Sequence, residues 1–135
     1  MLSQKARYAL RAMLCLAGED KPVPVRSIAE GQRIPRKFLE LILLELKSHG
    51  LVISHRGKAG GYELAKPSDS ISFADVMRVI DGPLALAPCA SRTAFRRCKD
   101  CPDPEECAIR AILLEVRDAS AGILEGRTLT QIKAY

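Results

Sequence analysis

The chain has 135 residues, 47% of them apolar and 27% charged, which is enough to bury one core and excludes a disordered polymer. Its formal net charge is +5, but residues 1–66 carry 12 Lys and Arg against 6 Asp and Glu, whereas residues 67–135 carry 9 against 10. A +6 half joined to a −1 half points to a polyanion-binding head and a separate assembly or sensing element, and the odd count of five cysteines argues against a disulfide-stapled secreted domain.

Ser3 caps a first helix in which Ala6, Leu10, Met13, Leu14 and Ala17 recur at helical spacing, with Gly18 as its stop. Lys5, Arg7 and Arg11 imitate a charged leader. The apolar run from Ala12 to Ala17 is too short for one, and no cleavage-like site follows. Pro22 and Pro24 lead into a short helix over Val25–Glu30, closed by Gly31. Pro35 opens the next helix, where its missing N–H would be unpaired in any case, and that helix runs to about His49. Leu39, Ile42, Leu43 and Leu46 form its buried stripe, with Arg36, Lys37, Glu40, Leu41, Leu44 and Lys47 on the other side. Glu40 and Glu45 interrupt this leucine-rich stretch, so no membrane span is expected. Gly50 ends the helix. Leu51–Ser54 and Tyr62–Leu64 read as strands joined by the basic, glycine-rich tip Arg56-Gly57-Lys58-Ala59-Gly60-Gly61. The expected fold is mainly α with a small β-hairpin, a winged helix-turn-helix over residues 1–66.

Residues 67–83 form a connector and a helix. Ser72 with Asp75 caps it, Phe73, Val76, Met77 and Ile80 line it, and Gly82-Pro83 breaks it. Residues 84–103 are an irregular, cysteine-rich loop. Asp103-Pro104-Glu105-Glu106 predicts the start of a long helix in the segment 104–135. Ile109, Ile112, Leu113, Val116, Ile123 and Leu124 share one stripe along roughly 20 residues, about 30 Å at 1.5 Å rise per residue.

A helix entering the major groove must present donors and acceptors away from the core. Arg36, Lys37 and Glu40 do so in the first turns of the second helix of the pair, and Lys47 suits a phosphate. Arg56 and Lys58 lie among Gly57 and Gly60, so backbone can approach a phosphate or the minor groove closely. Leu41 and Leu44 point outward from this polar face and can meet either a thymine methyl or another element. The expected partner is double-stranded DNA.

Cys89, Cys98, Cys101 and Cys107 fall within 19 residues, spaced C-x8-C-x2-C-x5-C. In a cytoplasmic chain such a cluster binds metal or undergoes redox chemistry. Four thiolates close a tetrahedral zinc site or hold an iron–sulfur cluster without histidine, and the spacing does not choose between them. A disulfide switch is the remaining alternative, in which no metal is bound. Cys107 in the first turn after the Asp103 cap, with Arg92, Arg96, Arg97 and Lys99 nearby, favours a negatively charged sulfur centre. Cys15, among Met13, Leu14 and Leu16, reads as a small apolar residue. His49 and His55 fall at the ends of the DNA-binding elements and read as surface or phosphate contacts.

Leu2–Leu10, Ser27-Ile28-Ala29-Glu30, Phe38-Leu39-Glu40, Gly50-Leu51-Val52 and, most specifically, Ser54–Ala65 resemble a family of winged-helix transcription regulators. Its members include the iron–sulfur regulator IscR, the nitric-oxide-sensing repressor NsrR and the iron regulator RirA. The similarity is strong over about the first 80 residues, and the cysteine loop before a long helix agrees. The resemblance implies a homodimer on palindromic promoter DNA, with residues 104–135 as dimerisation helix and a tail packing back on the N-terminal helix of the dimer. It adds Ser27 to the DNA-contacting residues. It also implies a cluster, 2Fe-2S or 4Fe-4S, whose binding, loss or oxidation shifts DNA affinity. Cys89, Cys101 and Cys107 look like the three loop cysteines that members use. Two departures follow. Arg110 stands near the place where relatives often have a histidine ligand, and the first helix offers no carboxylate before Glu19, which leaves Cys98 as the fourth ligand. Leu41 stands where relatives often have a polar base-reading residue.

No paired carboxylates, phosphate loop or nucleophile–base set is present, so an enzyme is not expected.

Overall fold

The computed structural model describes residues 2–133, Lys133 by its backbone alone. Helix α1 spans Gln4–Ala17, and the Ser3 hydroxyl caps it by accepting the Ala6 N–H at 3.0 Å. Ala6, Ala9 and Ala12 on its inner face are fully buried, small enough for other helices to approach closely. Met13 and Leu16 complete that face, while Leu14 and Ala17 are only half-buried at its edge.

Helix α2 covers Val25–Gln32 and passes through Gly31 without stopping. The stop is Arg33, whose backbone adopts a left-handed φ of 53° and returns its N–H to the last turn of the helix. Pro35 then stands as the cap residue of α3, Arg36–Ser48, in which Leu39, Ile42, Leu43 and Leu46 are all fully buried. Burying such side chains is worth about 1.5–3 kcal/mol each, and this stripe fastens α3 to the centre of the core.

Strands β1, Val52–His55, and β2, Gly61–Leu64, pair antiparallel with Val52 opposite Leu64 and His55 opposite Gly61. Val23, between two prolines, adds a one-residue third strand by exchanging two backbone hydrogen bonds with Tyr62 at 2.8 and 2.9 Å. The hairpin is thereby tied to the start of α2.

Helix α4, Phe73–Asp81, opens with reciprocal hydrogen bonds between Ser72 and Asp75 and ends at Gly82. Its buried Ala74 and Val76 join the same core as α1 and α3. A long irregular segment follows, containing one 3-10 turn at Pro88–Ala90.

Helix α5 is Ala108–Glu125, four residues later than the Asp103-Pro104 signal predicts. Asp103 does not cap it: its carboxylate accepts the Glu105 N–H at 2.9 Å and makes a local turn instead. Cys107 takes the cap position, its sulfur accepting the Arg110 N–H at 3.4 Å. The apolar residues predicted as one stripe are covered along only one edge of it. Leu113 and Leu124 turn inward with Ala121, whereas Ile109, Ile112, Val116 and Ile123 are 71%, 63%, 41% and 64% exposed.

The chain then returns to the head. Phe73 donates to the Arg127 carbonyl at 2.8 Å and Leu129 to the Ile71 carbonyl at 2.9 Å, and α6, Leu129–Lys133, places fully buried Leu129 in the core beside α1. No helix of the described residues is long and apolar enough to cross a membrane.

Candidate nucleic-acid interface and thiol centre

A short helix, a turn, a second amphipathic helix and a hairpin wing are all present, so the chain is mainly helical with a two-stranded wing, as the sequence predicts. The candidate DNA contacts sit on α2, α3 and the hairpin. Ser27 is exposed on α2 and Lys37 on α3. Arg36 and Glu40 are also exposed but paired with each other at 3.2 Å, one helical turn apart. Lys47 donates to the Ser54 hydroxyl at 2.7 Å, bracing α3 against the hairpin. Leu41 and Leu44 are 61% and 53% exposed and, among the described residues, lie outside the core cluster. His55 bonds Glu63 across the hairpin at 2.8 Å, which makes it a strand-pair contact. His49 bonds the Glu45 carbonyl at 2.9 Å.

At the wing tip Arg56, Gly57 and Lys58 are exposed. Gly57 has φ of 96°, a conformation that side chains with a Cβ avoid. Gly60 is needed for a different reason: a Cβ there would lie 2.4 Å from the His55 carbonyl oxygen. These glycines shape the tip so that Arg56 and Lys58 project from it.

The four loop cysteines line one cavity of about 530 Å³ at the foot of α5, together with Arg110, Ile109 and Leu113. Cys89 is buried, Cys101 and Cys107 are half-buried, and Cys98 is exposed. The neighbouring Cys89 thiol pushes the Cys98 thiol above its ordinary value, with Cys101 and Cys107 adding to the same shift. In kind these donors suit zinc or an iron–sulfur cluster, and in enclosure they share one space. Among the described residues, however, no three His, Cys, Asp or Glu converge to hold a metal ion as the side chains stand. The set fits a soft centre, and closing one would require the sulfurs to draw together. Cys15 is separate, half-buried on α1, its thiol pushed up by burial.

Three arginines whose partners the sequence leaves open, Arg92 and Arg97 in the loop and Arg110 on α5, have specific ones. Arg92 makes a two-pronged bond to Asp118 of α5 at 2.8 and 2.5 Å. Arg97 donates to the carbonyls of Cys101 and Pro102. Arg110, in the first turn of α5, donates to the Cys89 carbonyl at 2.9 Å and to the Pro104 carbonyl at 3.3 Å. It also pairs with Glu105 at 3.1 Å and lies 5.4 Å from the centre of the Phe95 ring. Sequence reasoning did not find these links, because a charge in a loop does not announce its partner.

Comparison with known proteins bears on both regions. The family model described as "Rrf2: Iron-dependent Transcriptional regulator" matches residues 2–135. An rrf2-like HTH-type transcriptional regulator of Rhodobacter capsulatus is 41% identical over 99% of this chain and 93% of its own length. The HTH-type transcriptional regulator IscR of Escherichia coli is 33% identical over 97% of this chain and 78% of its own. Among solved structures, CymR, the global cysteine regulator of Bacillus subtilis, superimposes with a TM-score of 0.82 at 31% identity, covering 100% of this chain and 97% of that one. These relatives are transcription regulators, not enzymes. Fold, basic wing and full-length match agree: the chain belongs to the Rrf2 family of DNA-binding transcription regulators.

Proposed function

We propose that this regulator binds palindromic promoter DNA as a homodimer, with its affinity set by an iron–sulfur centre held by Cys89, Cys98, Cys101 and Cys107. The observation that carries the reading is the gathering of four thiols around one cavity at the foot of α5. The exposed isoleucines of that same helix need a cover, and a second α5 is the simplest one. The iron-dependent description of the family supports the choice of iron.

In this reading Ser27, Arg36, Lys37, Glu40, Leu41 and Lys47 meet the major groove, and the wing, through Arg56, Gly57, Lys58 and Gly60, meets backbone or minor groove. Cluster chemistry supplies a change of charge and of ligation at the loop. The chain's own residues pass that change on: the loop is bonded to α5 through Arg92 and Arg110, and α5 is followed by the strand-like return to α4 and α6. A change in loop order therefore alters how two reading heads are spaced on half-sites about 34 Å apart.

The test uses the full chain purified without oxygen. Visible absorbance with matching iron and sulfide is expected, and so is a difference in affinity between cluster-loaded and cluster-free protein for DNA selected from a random library. Equal affinity of the two forms overturns the sensing role.

A second reading is thiol oxidation or a zinc staple under the same DNA-binding head, and a specific observation favours its thiol-oxidation form. The sulfurs do not converge on one centre, while Cys89 and Cys98 neighbour each other. The relation to a cysteine regulator points the same way. Colourless protein with one zinc per chain, or with a reversible disulfide, decides for it.

A further inference from the structure

The thiol cavity has two sides that are distant in sequence. Cys89 belongs to the 3-10 turn Pro88–Ala90, whereas Cys107 caps α5, and no backbone hydrogen bond joins the two segments directly. Arg110 joins them. Its Nε donates to the Cys89 carbonyl, one Nη donates to the Pro104 carbonyl, and its own backbone N–H donates to the Cys107 sulfur. The side chain is only 17% exposed, and its guanidinium lies against Phe95. A planar, rigid fork bonded to two carbonyls fixes direction as well as distance, which a single ammonium cannot do. A guanidinium has no lone pair to give a metal, so this residue shapes the site without entering it.

We infer that Arg110 is a positioning residue for the thiol centre, clamping the Cys89 turn onto the foot of α5 so that Cys89 and Cys107 face one cavity. The inference deepens the reading in which these thiols act together, yet the clamp itself exists before any metal or oxidant arrives. Its positive charge also faces a site that becomes more negative when thiols lose protons to a metal or cluster. The same clamp links the loop to Ile109 and Ile112, one residue before and two after Arg110, which begin the exposed apolar face.

The experiment has two arms on the full-length chain, comparing wild type, Arg110→Ala and Arg110→Lys. In the first, metal-free reduced protein is alkylated and each cysteine's rate is followed by mass spectrometry. Buried Cys89 is expected to react about tenfold faster or more in Arg110→Ala, since modification of a buried group tracks the population of its open form. Cys98, already exposed, is expected to keep its rate, and Cys15 on α1 reports any general loosening. If Cys15 accelerates as well, the alanine variant has lost its fold and Arg110→Lys decides, with Cys89 expected to react faster than in wild type. An unchanged Cys89 rate in a folded variant overturns the clamp.

In the second arm Co(II) is titrated anaerobically and the sulfur-to-metal absorption is read. Arg110→Ala is expected to weaken Co(II) by about 10–100-fold, the usual cost of removing an outer hydrogen-bonding partner, with the saturated spectrum unchanged because the ligands are the same. Full recovery by Arg110→Lys would show that charge alone matters and would overturn positioning. Failure of wild type to bind Co(II) sinks the metal-centre reading instead, and the alkylation arm still judges the clamp.

Discussion

Helices α3 and α5 are built from similar residues and solve opposite problems. Helix α3 has 13 residues and buries Leu39, Ile42, Leu43 and Leu46 completely inside its own chain. Helix α5 has 18 residues and buries only Ala121, leaving Ile109, Ile112, Val116 and Ile123 in the open. The first helix is finished by intramolecular packing, and the second is unfinished. The chain thus combines a self-sufficient reading head with a helix whose apolar face calls for another molecule, and the thiol cavity sits at the foot of the unfinished one.

The sharpest way to break this contrast is to cut each helix where it is supposed to be held. Ile42→Ala removes a fully buried side chain, and a loss of about 2–5 kcal/mol is expected in urea unfolding. A loss below about 1 kcal/mol would mean that the head's packing does not carry its stability. Ile112→Glu should act on assembly instead. Ile112 is 63% exposed, so a charge there leaves the monomer's fold intact but places two carboxylates in a helix pair. Sedimentation velocity is expected to show dimer for wild type and monomer for the variant, with the helical content retained. A variant that remains dimeric removes α5 from the interface.

The next effect is smaller and lies on the head alone. Arg56→Ala should weaken DNA binding by about 1–3 kcal/mol if the wing reads a base, and less if it meets only phosphate. The two are separated by repeating the gel-shift titration across salt concentrations, since a lost phosphate contact lowers the salt slope by about one. Unfolding should be unaffected because the residue is exposed at the wing tip. No change in binding at fixed salt would remove the wing from the interface.

The two halves also differ in how much of them could be read from residues. The α3 stripe was legible because one helix face meets one core, so the 3.6-residue period reports burial directly. The wing was legible because glycine and basic residues alternate between two short apolar runs. Val23 was not: a single rung between two prolines has no period to detect, and its pairing with Tyr62 depends on where the hairpin lies. Neither was the stop of α2, since Gly31 looks like a terminator but Arg33 is the residue that turns left-handed. At α5 the local signals competed. Asp103 can cap a helix or close its own turn, and it does the latter, leaving the cap to Cys107. The six apolar residues of the α5 stripe do share one arc, about 120° wide at 3.6 residues per turn, but only its edge beside Ala121 meets the rest of this chain, and no period in the sequence says which part of a stripe is covered. The cysteine spacing pointed to one place in the fold, and the four cysteines do line one cavity. Its anchors, Arg92, Arg97 and Arg110, were invisible because their partners are mostly backbone carbonyls.

The smallest expected effect tests whether the loop is tethered to α5 away from the thiols. Asp118, two turns beyond Arg110, receives both prongs of Arg92 and a further bond from Arg117. The Arg92 bond first, then Arg117, holds its carboxyl well below the usual carboxylate range. A carboxylate whose folded value is depressed contributes fully above the ordinary aspartate value near pH 3.9 and fades only as pH falls through its lower folded value. Asp118→Asn should therefore leave thermal unfolding nearly unchanged, because the pair is exposed, yet speed backbone hydrogen exchange around Arg92. After correction for intrinsic rates, that difference from wild type should persist from pH 7 to about pH 4 and shrink only at greater acidity, where the wild-type carboxylate itself protonates. A difference that disappears between pH 7 and pH 5 would assign the tether to some other titrating group, and Arg92 would then be an ornament of the loop surface.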